Sequence, residues 1–254
     1  MSIWGKILGG AIGFGIGGPI GALIGVAAGH FAVDKQRSGA NRPRLEDHSP
    51  WSHEARQVAF TVAVIALTAK LAKADGQVTR DEVDALKRVV RIPPEASAQV
   101  GAIFNQAKND ATGYEPYARQ IASIMAGNRQ MLEELLAALL MIAHADGTYH
   151  QAERDYIASV ARIFGFSAAD LHRIESMFVA GGAAPEIDPY EILGVKPSAS
   201  DQEVKSAYRT LLRDNHPDAM MAKGLPEDFI EVANKKMAEI NAAYDRVKAE
   251  RGIS

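Results

Sequence analysis

The chain has 254 residues, enough for two modest domains plus an anchor or tail, each able to bury its own core. Its formal net charge of −3 gives no whole-chain bias toward nucleic acid, so any electrostatic targeting is local. The absence of cysteine excludes disulfides, thiolate zinc sites and a cysteine nucleophile, and fits a reducing compartment.

In chain order, the first element is apolar. Ile7 to Gly29 carries no charged residue, a run long enough to cross a bilayer, and residues 1–33 are read as a transmembrane helix. Glycine recurs every fourth position at Gly5, Gly9, Gly13, Gly17, Gly21, Gly25 and Gly29. On a helix this is a stripe without side chains, the kind through which lipid-embedded helices associate, so Gly9, Gly13, Gly17, Gly21 and Gly25 are the candidate surface for a homodimer. A cleaved signal peptide fits less well, because the apolar run is too long and Lys6 is the only basic side chain before it. Lys35, Arg37, Arg42 and Arg44 crowd the other flank. The positive-inside rule then gives a single pass with the N-terminus outside and the bulk of the chain cytoplasmic.

Residues 34–50 are polar, carry two prolines and have no apolar period, and so read as a linker ending in a helix start at Ser49-Pro50. From 51 to 180 the apolar period is near 3.6, which predicts seven helices over about 51–74, 79–91, 94–108, 114–126, 129–145, 150–164 and 168–179. The breaks fall at Gly76, Pro93-Pro94, Thr112-Gly113, Gly127-Asn128, Gly147 and Gly165. Short connections imply antiparallel neighbours in a bundle.

One phrase occurs twice in this bundle: Ala72-Lys73-Ala74-Asp75-Gly76 with Glu82, and Ala143-His144-Ala145-Asp146-Gly147 with Glu153. Asp-Gly followed six residues later by Glu is like the second half of an EF-hand loop. The first half is missing, since Leu71 and Lys73, or Ile142 and His144, stand where oxygen ligands belong. Two readings stay open. Glycine ends one helix while Thr79 and Glu82 form a capping box for the next, with His150 a poorer cap in the second copy. Alternatively Asp75, Glu82, Asp146 and Glu153 meet to hold a divalent cation, the one cofactor the chain suggests. His144 is expected to be packed or hydrogen-bonded. The repeated phrase in a seven-helix setting resembles the TerB-like domain of tellurite resistance, a family whose paired acidic turns are proposed to bind metal.

Residues 181–187 form a short joint, and 188–254 a second helical unit. Asp188-Pro189-Tyr190-Glu191 starts a brief helix, and Ser200 with Glu203 starts a longer one that buries Val204, Tyr208, Leu211 and Leu212. That helix stops near Asn215, because Pro217 drives His216 out of helical geometry. Lys205, Arg209 and Arg213 recur every four residues on one side. A third helix from about Glu227 to Lys248 carries a seam of Ile230, Ala233, Met237, Ile240, Tyr244 and Val247. Pairing the two long helices leaves His216-Pro217-Asp218 in the exposed loop of a hairpin.

The phrases DPYEILGV, EVKSAYRTLLRDNHPD and MAEINAAYDRV, in this order, resemble a J-domain. The resemblance implies that His216, Pro217 and Asp218 contact a DnaK-type chaperone. It also implies that Lys205, Arg209 and Arg213, with Tyr208 and Leu212 beside them, complete the contact. Three departures narrow it: Ala219 follows Asp218 where many relatives have lysine, the loop AMMAKGLPED is long, and a fourth helix is absent. No glycine/phenylalanine-rich region or cysteine zinc module accompanies it. Taken together, the chain resembles membrane-anchored J-proteins of the DjlA type: all-α, with a transmembrane helix, a TerB-like bundle and a J-domain. The expected activity is that of a non-enzymatic co-chaperone at a bacterial inner membrane, with no nucleic-acid partner. A hydrolytic His216–Asp218 dyad lacks buried orientation and oxyanion donors. The alternative is a stress-sensing or metal-binding scaffold acting through the bundle.

Overall fold

The computed structural model describes residues 3–8, 18–24, 52–74, 80–178 and 188–252, and all regular structure among them is helical. At the centre lies α3, His53–Ala74, whose run from Val58 to Leu71 is buried on every side. It is long and apolar enough to cross a bilayer, but 89% of it is covered by protein, as an all-round apolar helix in a soluble core must be. Ser52 caps it, its Oγ accepting from the Ala55 N–H at 3.1 Å, three residues after the expected start; Ser49 and Pro50 lie outside the described residues.

Around α3 pack α4 (Arg80–Val89), α5 (Ser97–Asn109, preceded by a 3-10 turn at Pro94–Ala96), α6 (Glu115–Ile124), α7 (Arg129–Ala143), α8 (Gln151–Ile163) and α9 (Ala168–Ser176). Expected and observed helices agree to within a few residues. The second central helix is α7, apolar on most sides through Leu135–Leu140, and it joins α3 to α4, α8 and α9. A charge on the central helix enters this core: Lys70 of α3 donates to the Asp110 carbonyl at 2.9 Å and to that of Thr112. Tyr117 completes the arrangement, donating to the Asp110 carboxylate at 2.8 Å.

Helix ends follow the punctuation. Gly147, at φ +81°, ends the turn after α7, and the space where a Cβ would project is open. Gly147→Ala is therefore expected to cost about 1 kcal/mol through backbone strain alone, measurable as a lowered urea midpoint at unchanged slope.

The C-terminal unit comprises α10 (Pro189–Ile192), α11 (Asp201–Asn215), α12 (Pro217–Lys223) and α13 (Ile230–Arg251, preceded by a 3-10 turn at Glu227–Phe229). Caps fall where the sequence places them: Asp188 accepts from the Tyr190 N–H at 2.9 Å, and Glu203 accepts from the Ser200 N–H at 2.7 Å. Stacking of Tyr208 on Tyr244 at 3.8 Å joins α11 to α13. At the other end Arg251 donates to the Tyr190 hydroxyl and to the Ala199 and Pro197 carbonyls, locking α13 to the α10–α11 turn. One expectation needs correction: the segment after His216 is not simply a loop. Pro217 occupies the first turn of α12, Met220 buries its side chain, and Gly224 ends the helix in a left-handed conformation.

Within the segment expected to cross the membrane, the described residues form α1, Ile3–Leu8, and α2 at residues 18–24, both helical. Gly18 has φ +71° and so interrupts helical geometry, with the Gln120 side chain 2.9 Å from where a Cβ would stand. Ile3, Trp4, Ile7, Ile20, Leu23 and Ile24 are buried, and the Ile20 N–H donates to Gln120 Oε1 at 2.8 Å. Gly21 lies in α2, whereas Gly9, Gly13, Gly17 and Gly25 and the linkers 34–50 and 181–187 lie outside the described residues.

Candidate functional site

The hairpin tip is built by a helix that must stop and another that starts at once. Asn215 ends α11, its Nδ2 donating back to the Leu211 carbonyl at 2.8 Å. His216 then takes the extended conformation, φ −61° and ψ 132°, that a following proline imposes. The same residue caps α12, with the Asp218 N–H donating to His216 Nδ1 at 3.2 Å. Since Nδ1 accepts, the neutral ring carries its proton on Nε2, a donor available to a partner. The side chains of His216 and Asp218 are 54% and 81% exposed, so both are presented outward. That exposure suits recognition by another protein and not proton transfer within a sheltered dyad.

Beside the tip runs an open groove of about 560 Å³ floored by Leu212, Ala219 and Met237 and rimmed by Arg209, Arg213, His216 and Asp218. Five expected docking residues therefore share one surface. Arg209 Nε donates to the Lys205 carbonyl at 3.2 Å, and Arg213 Nε to Asp214 at 3.1 Å, so the stripe lies along the helix. Tyr208 plays another part, stacked on Tyr244 with its hydroxyl donating to Asn241 at 3.0 Å. Met237 and Ala219 enter the groove unforeseen. Met237 belongs to the α13 seam, and only the helical course of α12 brings Ala219 beside it.

The second acidic turn is engaged in capping. Asp146 Oδ1 accepts from the Thr148 N–H and Glu153 Oε2 from the His150 N–H, both at 2.8 Å. His144 Nδ1 contacts the Leu140 carbonyl at 2.9 Å and its ring packs on Tyr149, as expected. Glu82 and Glu153 are buried, while Asp75 lies outside the described residues. Among the described residues no three His, Asp or Glu side chains are grouped to hold a metal ion.

The largest feature that periodicity could not reveal is the contact between the two helical units. Lys236 of α13 is 1% exposed, with Nζ 2.9 Å from Glu133 and 2.6 Å from Glu134 of α7. Arg173 of α9 lies 3.1 Å from Glu133. Burial pulls the Glu133 carboxyl up, but Lys236 and Arg173 outweigh it and hold it at about 2. Burial dominates at Glu134, whose carboxyl is pushed up, while the two carboxylates overcome burial at Lys236 and raise its ammonium. Beside the pair, Phe229 meets Phe60 edge to face at 4.9 Å.

Comparison with known proteins accounts for the whole chain. Three family models match in order: co-chaperone DjlA transmembrane domain over residues 1–42, tellurite resistance protein TerB over 61–176 and DnaJ domain over 188–251. The co-chaperone protein DjlA of Photobacterium profundum is 36% identical over 99% of this chain and all of its own length. The chain belongs to the DjlA family of co-chaperones. DjlA proteins of Shewanella oneidensis and Escherichia coli are 31% and 28% identical over the full length of both partners. No solved structure matches the chain. Membership of the DjlA family makes the chain a membrane-anchored J-protein with a regulatory role. The groove and tip at α11–α12 thus lie on its DnaJ domain.

Proposed function

We propose that this chain stimulates ATP hydrolysis by a DnaK-type chaperone and recruits it to the bacterial inner membrane. The observation that carries the reading is the outward His216-Pro217-Asp218 tip, fixed at the start of α12 beside a groove with an apolar floor and an arginine rim. An apolar floor supplies affinity to a partner segment, and the arginines steer an acidic surface and set its orientation. Lys205, Arg209 and Arg213 act in the encounter, while Leu212 and the tip act in the bound complex. Tyr208 supports Leu212 through its stack on the α13 ring.

Two expected outcomes follow from this division. Raising ionic strength from roughly 50 to 200 mM slows association several-fold without changing the maximal rate of stimulated hydrolysis. Arg209→Glu with Arg213→Glu lowers the association rate about tenfold and removes most of that salt dependence, read by stopped-flow binding. An association rate that ignores both salt and charge reversal contradicts the assignment.

Recruitment is tested by flotation. A DnaK-type chaperone with ATP is expected to rise with vesicles bearing the full chain and to stay in the dense fraction with empty vesicles. Orientation follows the basic flank at Lys35, Arg37, Arg42 and Arg44. A reporter fused after Ser254 is expected inside the cell, and its appearance outside refutes the topology. Self-association through the glycine stripe belongs to the same proposal, and cross-linking in vesicles tests it.

For the acidic turns we propose a capping role, on the grounds that Asp146 and Glu153 already accept backbone hydrogen bonds. Addition of calcium, magnesium or zinc is expected to leave the melting temperature unchanged. A rise that grows with metal concentration favours the metal-binding scaffold instead.

A further inference from the structure

The tip is gripped at both ends by the bundle. Gln130, in the first turn of α7, donates from Nε2 to the Asp214 carbonyl at 3.3 Å, two residues before His216. At the far end of α12, Asn128 Nδ2 donates to the Lys223 carbonyl at 3.0 Å, and Lys223 Nζ donates to Gln130 Oε1. One short stretch of the bundle thus brackets the helix that His216 caps.

The neighbouring contacts continue this grip. Lys236 with Glu133 and Glu134, and Phe229 on Phe60, bury the α13 side of the J-domain against α7 and α3. His172 of α9 lies 3.3 Å from Glu191 of α10. These contacts fall on α10, α12, α13, the 3-10 turn before α13, or the Asp214 carbonyl near the end of α11. Arg209, Arg213 and the side chains of His216 and Asp218 remain exposed around the groove.

A buried ion pair across two units is specific in a way that an apolar patch is not. Both carboxylates and the ammonium lose their hydration on docking and recover it only in one register. A J-domain on a free tether has no use for such a lysine, because undocked it would be an ordinary solvated side chain.

We infer that Asn128, Gln130, Glu133 and Glu134 of the TerB-like bundle are positioning residues for the His216-Pro217-Asp218 tip. They hold the J-domain in one orientation on the bundle, so the anchor and bundle decide from which side a DnaK-type chaperone can approach. This rests on the J-domain reading of the tip. None of the four touches the partner; they act through α12 and α13.

The test uses the full chain in lipid vesicles, comparing wild type with Gln130→Ala and with Lys236→Met. Amide hydrogen exchange over residues 129–136 and 229–237 reads docking, and single-turnover ATPase titrations of a DnaK-type chaperone read its consequence. Both variants are expected to lose exchange protection in both segments together. They are also expected to raise the half-saturating concentration roughly fivefold at an unchanged maximal rate, as when an orientational constraint is released. Lys236→Arg, which keeps the charge, restores both readouts toward wild type. Unchanged exchange in both variants overturns the inference, and so does lost protection with an unchanged half-saturating concentration. If the wild-type chain gives no stimulation, the J-domain reading fails, and the exchange data still decide docking.

Discussion

His216→Gln is expected to reduce stimulation of a DnaK-type chaperone by at least about 30-fold, the scale of losing one hot-spot side chain worth ~2 kcal/mol. The His216 side chain accepts the cap hydrogen bond from the Asp218 N–H at its Nδ1, lies 3.7 Å from the Asp218 carboxylate, and is otherwise largely exposed. Glutamine has an oxygen with which to cap, so α12 survives. What it cannot reproduce is the flat ring bearing Nε2–H above the apolar groove floor. Loss of a helix cap bounds the stability cost at about 1 kcal/mol. Thermal unfolding and single-turnover ATPase, measured on one preparation, separate the two effects. A variant that keeps both its melting temperature and its stimulation contradicts the assignment of His216.

Lys236→Ala is expected to destabilise the fold by about 3–5 kcal/mol, the usual effect of stranding a buried charge. Glu133 retains Arg173, but Glu134 loses its only cation among the described residues. Its second oxygen already has no hydrogen-bond partner among the described residues, so nothing remains to offset its burial. Because Lys236 is 1% exposed, solvent screening does not reduce this effect. Lys236→Met with Glu134→Leu removes both charges while filling the space. Replacing buried ion pairs by apolar groups of similar volume is often neutral or stabilising, so the double variant should recover most of the loss. Urea titrations of the two variants check the contrast, and equal destabilisation would show that packing, not charge, holds the units together.

Those two residues illustrate what could be read from the sequence. His216 announces itself, because a proline after a strongly periodic helix forces a break, and the flanking helices carry unmistakable seams. The seven bundle helices were legible for the same reason: apolar periodicity, and glycines such as Gly147 where the chain must turn left-handed. Lys236 was not legible. It sits in the pair Lys235-Lys236 and looks like any solvated lysine until another unit supplies Glu133 and Glu134.

The helix α12 was hidden by its length. Seven residues carry too little periodicity to mark a helix, and Pro217 looks like a breaker when it is in fact a starter. At Gly18, the first described residue of α2, φ is +71°, a conformation open to glycine and one that the four-residue glycine spacing does not by itself announce. The acidic turns are legible in a different way: a repeated Asp-Gly and Glu is compatible with caps and with a cation alike, and in the second copy Asp146 and Glu153 accept backbone hydrogen bonds.

The central claim is that this chain is a J-protein whose tip acts on a DnaK-type chaperone. Single-turnover hydrolysis of ATP preloaded on that chaperone, with and without the full chain in vesicles, tests it most directly. The expected result is a saturable acceleration, present with wild type and absent with His216→Gln. An ATPase rate that stays at its basal value as wild-type chain is added would contradict it.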